Sequence, residues 1–153
     1  MAIDSATAPS PQGCTNLKLR QLSRAVTRHY DGYVGATGLK NTQYSLLSHV
    51  VKLGPIQPSA LAQRMRLDPS TLTRNLQPLL AAGWVELGPG DDARSRLVEA
   101  TAAGRALRAE AQRAWKQAQL ALNARLGAER VAALHALLDD CLHRIDTTGP
   151  GDA

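Results

Sequence analysis

Between Asp68 and Gln77 the chain reads DPSTLTRNLQ, and six of these side chains, Ser70, Thr71, Thr73, Arg74, Asn75 and Gln77, are hydrogen-bonding groups of short to medium reach. Arg offers a bidentate fork, Asn and Gln pair a donor with an acceptor, and hydroxyls serve either way. That set reads base edges in a major groove. No carboxylate accompanies it beyond Asp68, whereas an ordinary solvated helix face more often mixes Glu with Lys. A second group, Asp92-Ala93-Arg94-Ser95-Arg96, follows the turn-forming Gly88-Pro89-Gly90. Arg on a thin projection fits a narrow minor groove, where negative potential concentrates, and a neighbouring Asp can hold the guanidinium. The plainer reading is a hydrophilic turn.

These groups need rigid elements beneath them, and hydrophobic spacing supplies a coarse plan. Leu19, Leu22, Val26, Tyr30 and Tyr33 recur at three- and four-residue intervals, which predicts an amphipathic helix from Thr15 to about Ala36. A second helix is expected from Asn41 to Leu53, stopped by Gly54-Pro55, and a short third from Pro58 to Arg66. Asp68-Pro69 has the grammar of a helix start, a carboxylate cap followed by Pro in the first turn. The fourth helix then runs to about Ala82, with Leu72, Leu76, Leu79 and Leu80 inward and Gly83 ending it. Pro78 within it removes one backbone bond and predicts a kink beyond the base-reading positions. Trp84 to Leu87 and Arg96 to Thr101 read as two strands joined by a charged turn at 88–92. Two helices follow, Ala102 to Leu126 and, after Gly127, a last one striped by Val131, Leu134, Leu138, Cys141, Leu142 and Ile145. The order makes a mainly α fold with a small β-hairpin wing: a winged helix-turn-helix lobe at 55–101, flanked by helices at 14–54 and 102–146. Residues 1–13 and 147–153 read as tails.

Composition agrees with this plan. The chain has 153 residues, enough for one domain with a real core. Ala and Leu fill nearly a third of it, Phe is absent and aromatics make up 3%, which favours helices packed by aliphatic contact. Net charge is +5, but its distribution misleads. From Gln57 to Arg96 five Arg oppose four carboxylates, whereas residues 17–40 carry five cations and only Asp31. Placement, not charge count, marks the candidate nucleic-acid surface. No run approaches a membrane span, no basic-then-apolar leader opens the chain, and a cytoplasmic location is expected. The two cysteines form no metal-ligand spacing, and no nucleophile–base pair or phosphate loop appears. Neither metal, cofactor nor enzymatic activity is expected.

Ser59 to Gly104 resembles the reading head of the multiple-antibiotic-resistance regulator (MarR) family. The shared pattern is a short Leu-Ala helix, a helix opening on Asp/Ser/Thr and carrying Thr73-Arg74, then Gly83-Trp84-Val85, then a wing. The wing pattern is met by Asp92, Arg94, Val98 and Thr101, followed by a Gly, and departs at Ala100, where Leu is usual. The resemblance covers about residues 14–146. It implies a homodimer interlocked through its first, fifth and sixth helices, with two lobes on a palindromic double-stranded operator. It further implies repression relieved by a small ligand or an oxidant.

Family members commonly hold aromatic acids or phenols between the dimer helices and the reading head. By that resemblance Arg24, Arg28, His29, Tyr33, Tyr44 and His49 are the candidate effector contacts, each with an ordinary structural reading beside it. The rival is redox sensing through Cys14, with Cys141 as its possible partner. Hydroperoxide sensors of the family place a reactive Cys near the start of helix one. Here Tyr30 matches one of its activating tyrosines, but Asn16 falls at the reactive position, Cys14 lies two residues early, and Asn41 replaces the second Tyr. Lys18, one turn beyond Cys14, is a setting that activates a thiol. Cys141 equally suits core packing.

Overall fold

The computed structural model describes residues 10–147; most of the N-terminal tail and nearly all of the C-terminal one lie outside that range. Helix α1 spans Thr15–Val34 and passes through a 3-10 turn, Gly35–Thr37, into α2, Asn41–Leu53. Helices α3, Pro58–Met65, and α4, Pro69–Ala81, follow, then strands β1, Val85–Pro89, and β2, Arg96–Ala100. Helices α5, Ala102–Leu126, and α6, Ala128–Thr147, close the chain. This is the order expected from spacing.

The hairpin is longer than the sequence suggests. β1 and β2 pair antiparallel from Val85 opposite Ala100 out to Pro89 opposite Arg96, so Gly88 and Pro89 are strand and the turn is confined to 90–95. Pro89 is tolerated because it ends an outer strand, where its missing N–H removes little from the ladder. A further link was invisible to periodicity. Ile56 exchanges backbone bonds with Val98, at 3.1 and 2.8 Å, and so ties the hairpin to the α2–α3 connection.

Leu72, Leu76 and Leu79 repeat at four and three residues, fall on one face of α4 and are at most 4% exposed. They pack with Leu46, Leu47 and Val50 of α2, Leu61 of α3, and Val85 and Val98 of the hairpin. Burying each such side chain contributes about 1.5–3 kcal/mol, so this aliphatic wedge fixes which side of α4 is left to solvent. Helix α4 continues through Pro78 for a further turn, to Ala81.

The outer helices are covered less well. Val131 is the one buried residue of α6, while Leu137, Leu142 and Ile145 are exposed, as are Leu17, Leu19 and Leu22 of α1. Cys141 is exposed too, so it takes no part in the core packing its stripe suggests: the apolar side chains of the later turns of α6 stay uncovered, although Asp146 near its end pairs with Arg66.

Candidate nucleic-acid interface

Helix α4 begins on Asp68, whose Oδ1 accepts the backbone N–H groups of Ser70 and Thr71, each at 3.0 Å. The hydroxyls of Ser70 and Thr71 also donate to this carboxylate. Those hydroxyl bonds, with the backbone bond from Thr71 next, hold the Asp68 carboxyl well below the usual carboxylate range. An ionised cap at this helix end also complements its dipole.

The same bonds divide the six candidate base readers. The hydroxyl hydrogens of Ser70 and Thr71 are committed to Asp68, and that of Thr73 to the Pro69 carbonyl at 2.9 Å. Their oxygens keep lone pairs, so these three side chains serve as acceptors. Arg74, Asn75 and Gln77 are exposed, away from the buried Leu72, Leu76 and Leu79. The donors that can read guanine or adenine edges therefore sit on the second and third turns.

In the wing, Asp92 performs a different task from the one expected. Its Oδ1 accepts the backbone N–H groups of Arg94 at 2.8 Å and Ser95 at 2.7 Å, so it shapes the turn and not the Arg94 guanidinium. These bonds, that from Arg94 first, lower its carboxyl below the usual range. Gly90 donates to the Ser95 carbonyl at 3.0 Å and closes the loop. Arg94 and Arg96 are exposed beside it.

The foot of the wing is a tight joint. Thr101 caps α5 by accepting the Gly104 N–H at 3.1 Å, and its hydroxyl donates to the Gly83 carbonyl at 2.7 Å. Thr101 N–H donates to the Trp84 carbonyl at 3.1 Å. Gly104 packs so closely on that carbonyl that a Cβ there would lie 1.9 Å from its oxygen. The Thr-then-Gly signal of the sequence thus has a steric cause.

Between α2 and α5 lies a cleft of about 510 Å³ lined by Asn41, Tyr44, Ser45, Ser48, His49, Lys52, Arg108, Gln112 and Trp115. Of the candidate effector contacts it gathers Tyr44 and His49. Arg24, Arg28, His29 and Tyr33 lie outside its lining: Arg24 and Arg28 are exposed on α1, and His29 bonds through Nε2 to the Ala118 carbonyl at 2.8 Å, with Tyr33 against its ring. Sequence reasoning missed Lys52, Arg108 and Trp115. Arg108 bonds to Gln112 at 2.8 Å and to Ser48 at 3.5 Å, and Trp115 stacks on Tyr44 with centroids 6.1 Å apart. His49 Nδ1 meets the Ser45 carbonyl at 2.7 Å.

A second, apolar groove of about 380 Å³ runs between α1, α5 and α6, lined chiefly by Leu19, Leu22, Val26, Leu122, Leu126 and Leu134. At its inner edge Tyr30 donates to Gln119, and burial pushes its phenol above the ordinary value. Cys14, at the N-terminal end of α1, is exposed, like Cys141. Among the described residues no group of His, Cys, Asp and Glu could hold a metal ion.

A three-helix core with an antiparallel hairpin, a capped outward helix and an Arg-bearing loop is a winged helix-turn-helix. Residues 37–95 match the model of the MarR family. The multiple antibiotic resistance protein MarR of Salmonella typhimurium is 32% identical over 117 residues, 75% of this chain and 81% of that protein. The chain belongs to the MarR family. Among solved structures, the Mycobacterium tuberculosis transcriptional regulator MosR in complex with DNA superposes with a TM-score of 0.69 at 31% identity, covering 84% of this chain and 98% of that one. A mutant MarR of E. coli complexed with operator DNA gives a TM-score of 0.75 at 26% identity, covering 83% and 92%.

Proposed function

We propose that this protein is a homodimeric transcriptional repressor that binds a palindromic double-stranded operator and is released by a small aromatic or phenolic ligand. The observation that carries the reading is the outward face of α4: Arg74, Asn75 and Gln77 stand together with no carboxylate beyond the cap, over a rigid aliphatic core. The DNA complexes of its relatives, one of them with operator DNA, make DNA the natural partner. Residues 55–101 act as the DNA-binding lobe, reading bases through α4 with Ser70, Thr71 and Thr73 as acceptors. Arg94 and Arg96 of the wing, shaped by Asp92, meet the minor groove and its phosphates.

Helices of 14–54 and 102–146 form the dimer. Their support is the apolar groove between α1, α5 and α6 together with the exposed Leu137, Leu142 and Ile145, surfaces that a two-fold partner covers economically. The α2–α5 cleft takes the effector: Trp115 and Tyr44 offer a flat apolar wall, and Lys52, Arg108 and His49 offer partners for a carboxylate or phenolate. The role is regulatory and not catalytic, in the cytoplasm of a bacterium. No helix among the described residues is long and apolar enough to cross a membrane.

The test is a pair of variants measured on a duplex enriched from a random pool and on a shuffled duplex. R74A relaxes discrimination by about 1–3 kcal/mol at one base position, and R94A weakens binding with a smaller effect on α4-read positions. Equal discrimination in R74A and wild type contradicts the reading. Release by thiol oxidation is a second reading, supported by the exposure of Cys14 and Cys141. A C14S variant whose DNA binding stays peroxide-sensitive excludes Cys14 as the sensor.

A further inference from the structure

A third cleft, of about 260 Å³, opens between the start of α2 and the outward side of α4, lined by Lys40, Thr42 and Gln43 from one element and Arg74, Asn75 and Pro78 from the other. Nothing in the sequence patterning pointed to it, because its two halves are more than thirty residues apart. Its lining contains two cations, a hydroxyl and two amides, and no carboxylate. Asp31, which reaches the start of α2, is engaged there by the Asn41 N–H at 2.6 Å. Gln43 bonds back to the Lys40 N–H at 2.9 Å, which fixes the backbone from which the Lys40 side chain projects. Lys40, Thr42, Arg74 and Asn75 are all exposed.

We infer that this cleft is a clamp for a backbone phosphate of the bound DNA, with Lys40 and Thr42 gripping the strand that borders the groove entered by α4. This rests on the DNA-reading role proposed for α4. An α-helix seated in a major groove has phosphates along both walls, and contacts to them set register and orientation without carrying base identity. Arg74 stands at the boundary between the two tasks: it lines the clamp and belongs to the reading face. Lys40 and Thr42 come from the start of α2, across the cleft from Arg74 and Asn75, and are assigned to the backbone alone. Lys40 thereby acts as a positioning residue for α4.

The test is the salt dependence of binding. Each phosphate contact contributes a slope of about 0.9 in log K against log salt, so a dimer losing two Lys40 contacts has a slope shallower by about 1.8. Between about 50 and 200 mM salt, K40A and K40Q then lose roughly twelve-fold less affinity than wild type. The probes are a duplex enriched from a random pool with wild-type protein and a shuffled duplex of equal length. Both weaken together in the variants, K40R retains the wild-type slope, and K116A, an exposed charge on α5 that lines none of the three clefts, leaves the slope unchanged. A wild-type slope in K40A with discrimination intact overturns the clamp and leaves the role of α4 standing. Collapse of discrimination in K40A overturns it as well, by making Lys40 a base reader. Failure of wild-type protein to enrich any duplex overturns the clamp and the DNA-reading proposal together.

Discussion

Replacing Gly104 by Ala separates helix propensity from steric fit at the foot of the wing. In an exposed helix interior, Gly→Ala gains about 1 kcal/mol, and Gly32 of α1, where an added Cβ would meet nothing within 4 Å, is such a site. At Gly104 the added carbon falls 1.9 Å from the Trp84 carbonyl oxygen and 2.8 Å from its carbon. To reach even 3.0 Å the two backbones must part by about 1.1 Å. That carbonyl is pinned by the Thr101 N–H and the Gly104 N–H by the Thr101 hydroxyl, so neither side yields freely. Overpacking of this kind costs about 1–3 kcal/mol, occasionally more. Taking the upper part of that range and subtracting the propensity gain leaves G104A less stable by about 2 kcal/mol, or roughly 4–8 °C in Tm for a chain of this size. G32A gains about 2–4 °C on the same scale. Thermal unfolding at matched protein concentration, needed because association shifts Tm, reads both. DNA affinity falls in G104A because the wing hangs on this joint. A G104A protein as stable as G32A refutes the steric account of the Thr101–Gly104 joint.

Asp68 and Asp92 titrate below the usual carboxylate value near 3.9. Since folding lowers both, their contribution is present above that pH and is lost as pH falls through the folded values; NMR midpoints at or above about 3.9 contradict the bonding described. D92A leaves the Arg94 and Ser95 amides without their shared acceptor, so hydrogen exchange at 90–95 quickens while α2 to α4 stay protected. Leu134→Glu places a charge in the α1–α5–α6 groove, raises the dimer dissociation constant at least tenfold and removes operator binding with it; a dimeric, DNA-competent L134E protein speaks against the groove as interface. With benzoate as probe, R108A needs about tenfold more ligand to release DNA, the loss of one hydrogen bond to a charged group, and an unchanged requirement removes Arg108 from the effector cleft.

Local signals in the sequence carried most of the fold. Asp68-Pro69 marks the start of α4 because a cap and a pre-set φ need only neighbouring residues, and Leu72, Leu76 and Leu79 give its buried side because helical period is local too. Gly83 is legible for the same reason, its φ of +73° suiting glycine. The Ile56–Val98 link was not, since a lone extended residue between helices has no period to betray it. The roles of Asp92 and of the three hydroxyls in 70–73 depend on loop and cap geometry that residue types alone leave open. Arg108 and Trp115 escaped because α5 reads as an Ala-rich helix from its own spacing; only the packing of α5 across α2, some sixty residues earlier, turns them toward Tyr44 and His49. The same holds for Lys40 and Thr42 beside Arg74.

Titration of wild-type protein into a palindromic duplex enriched from a random pool, followed by native mass measurement and anisotropy at moderate salt, tests the central claim most directly. Two chains bind per duplex, with an affinity at least a thousand-fold or so above that for a shuffled duplex. Binding without preference for any sequence, or one chain per duplex with full discrimination, contradicts a dimer that reads its operator through α4.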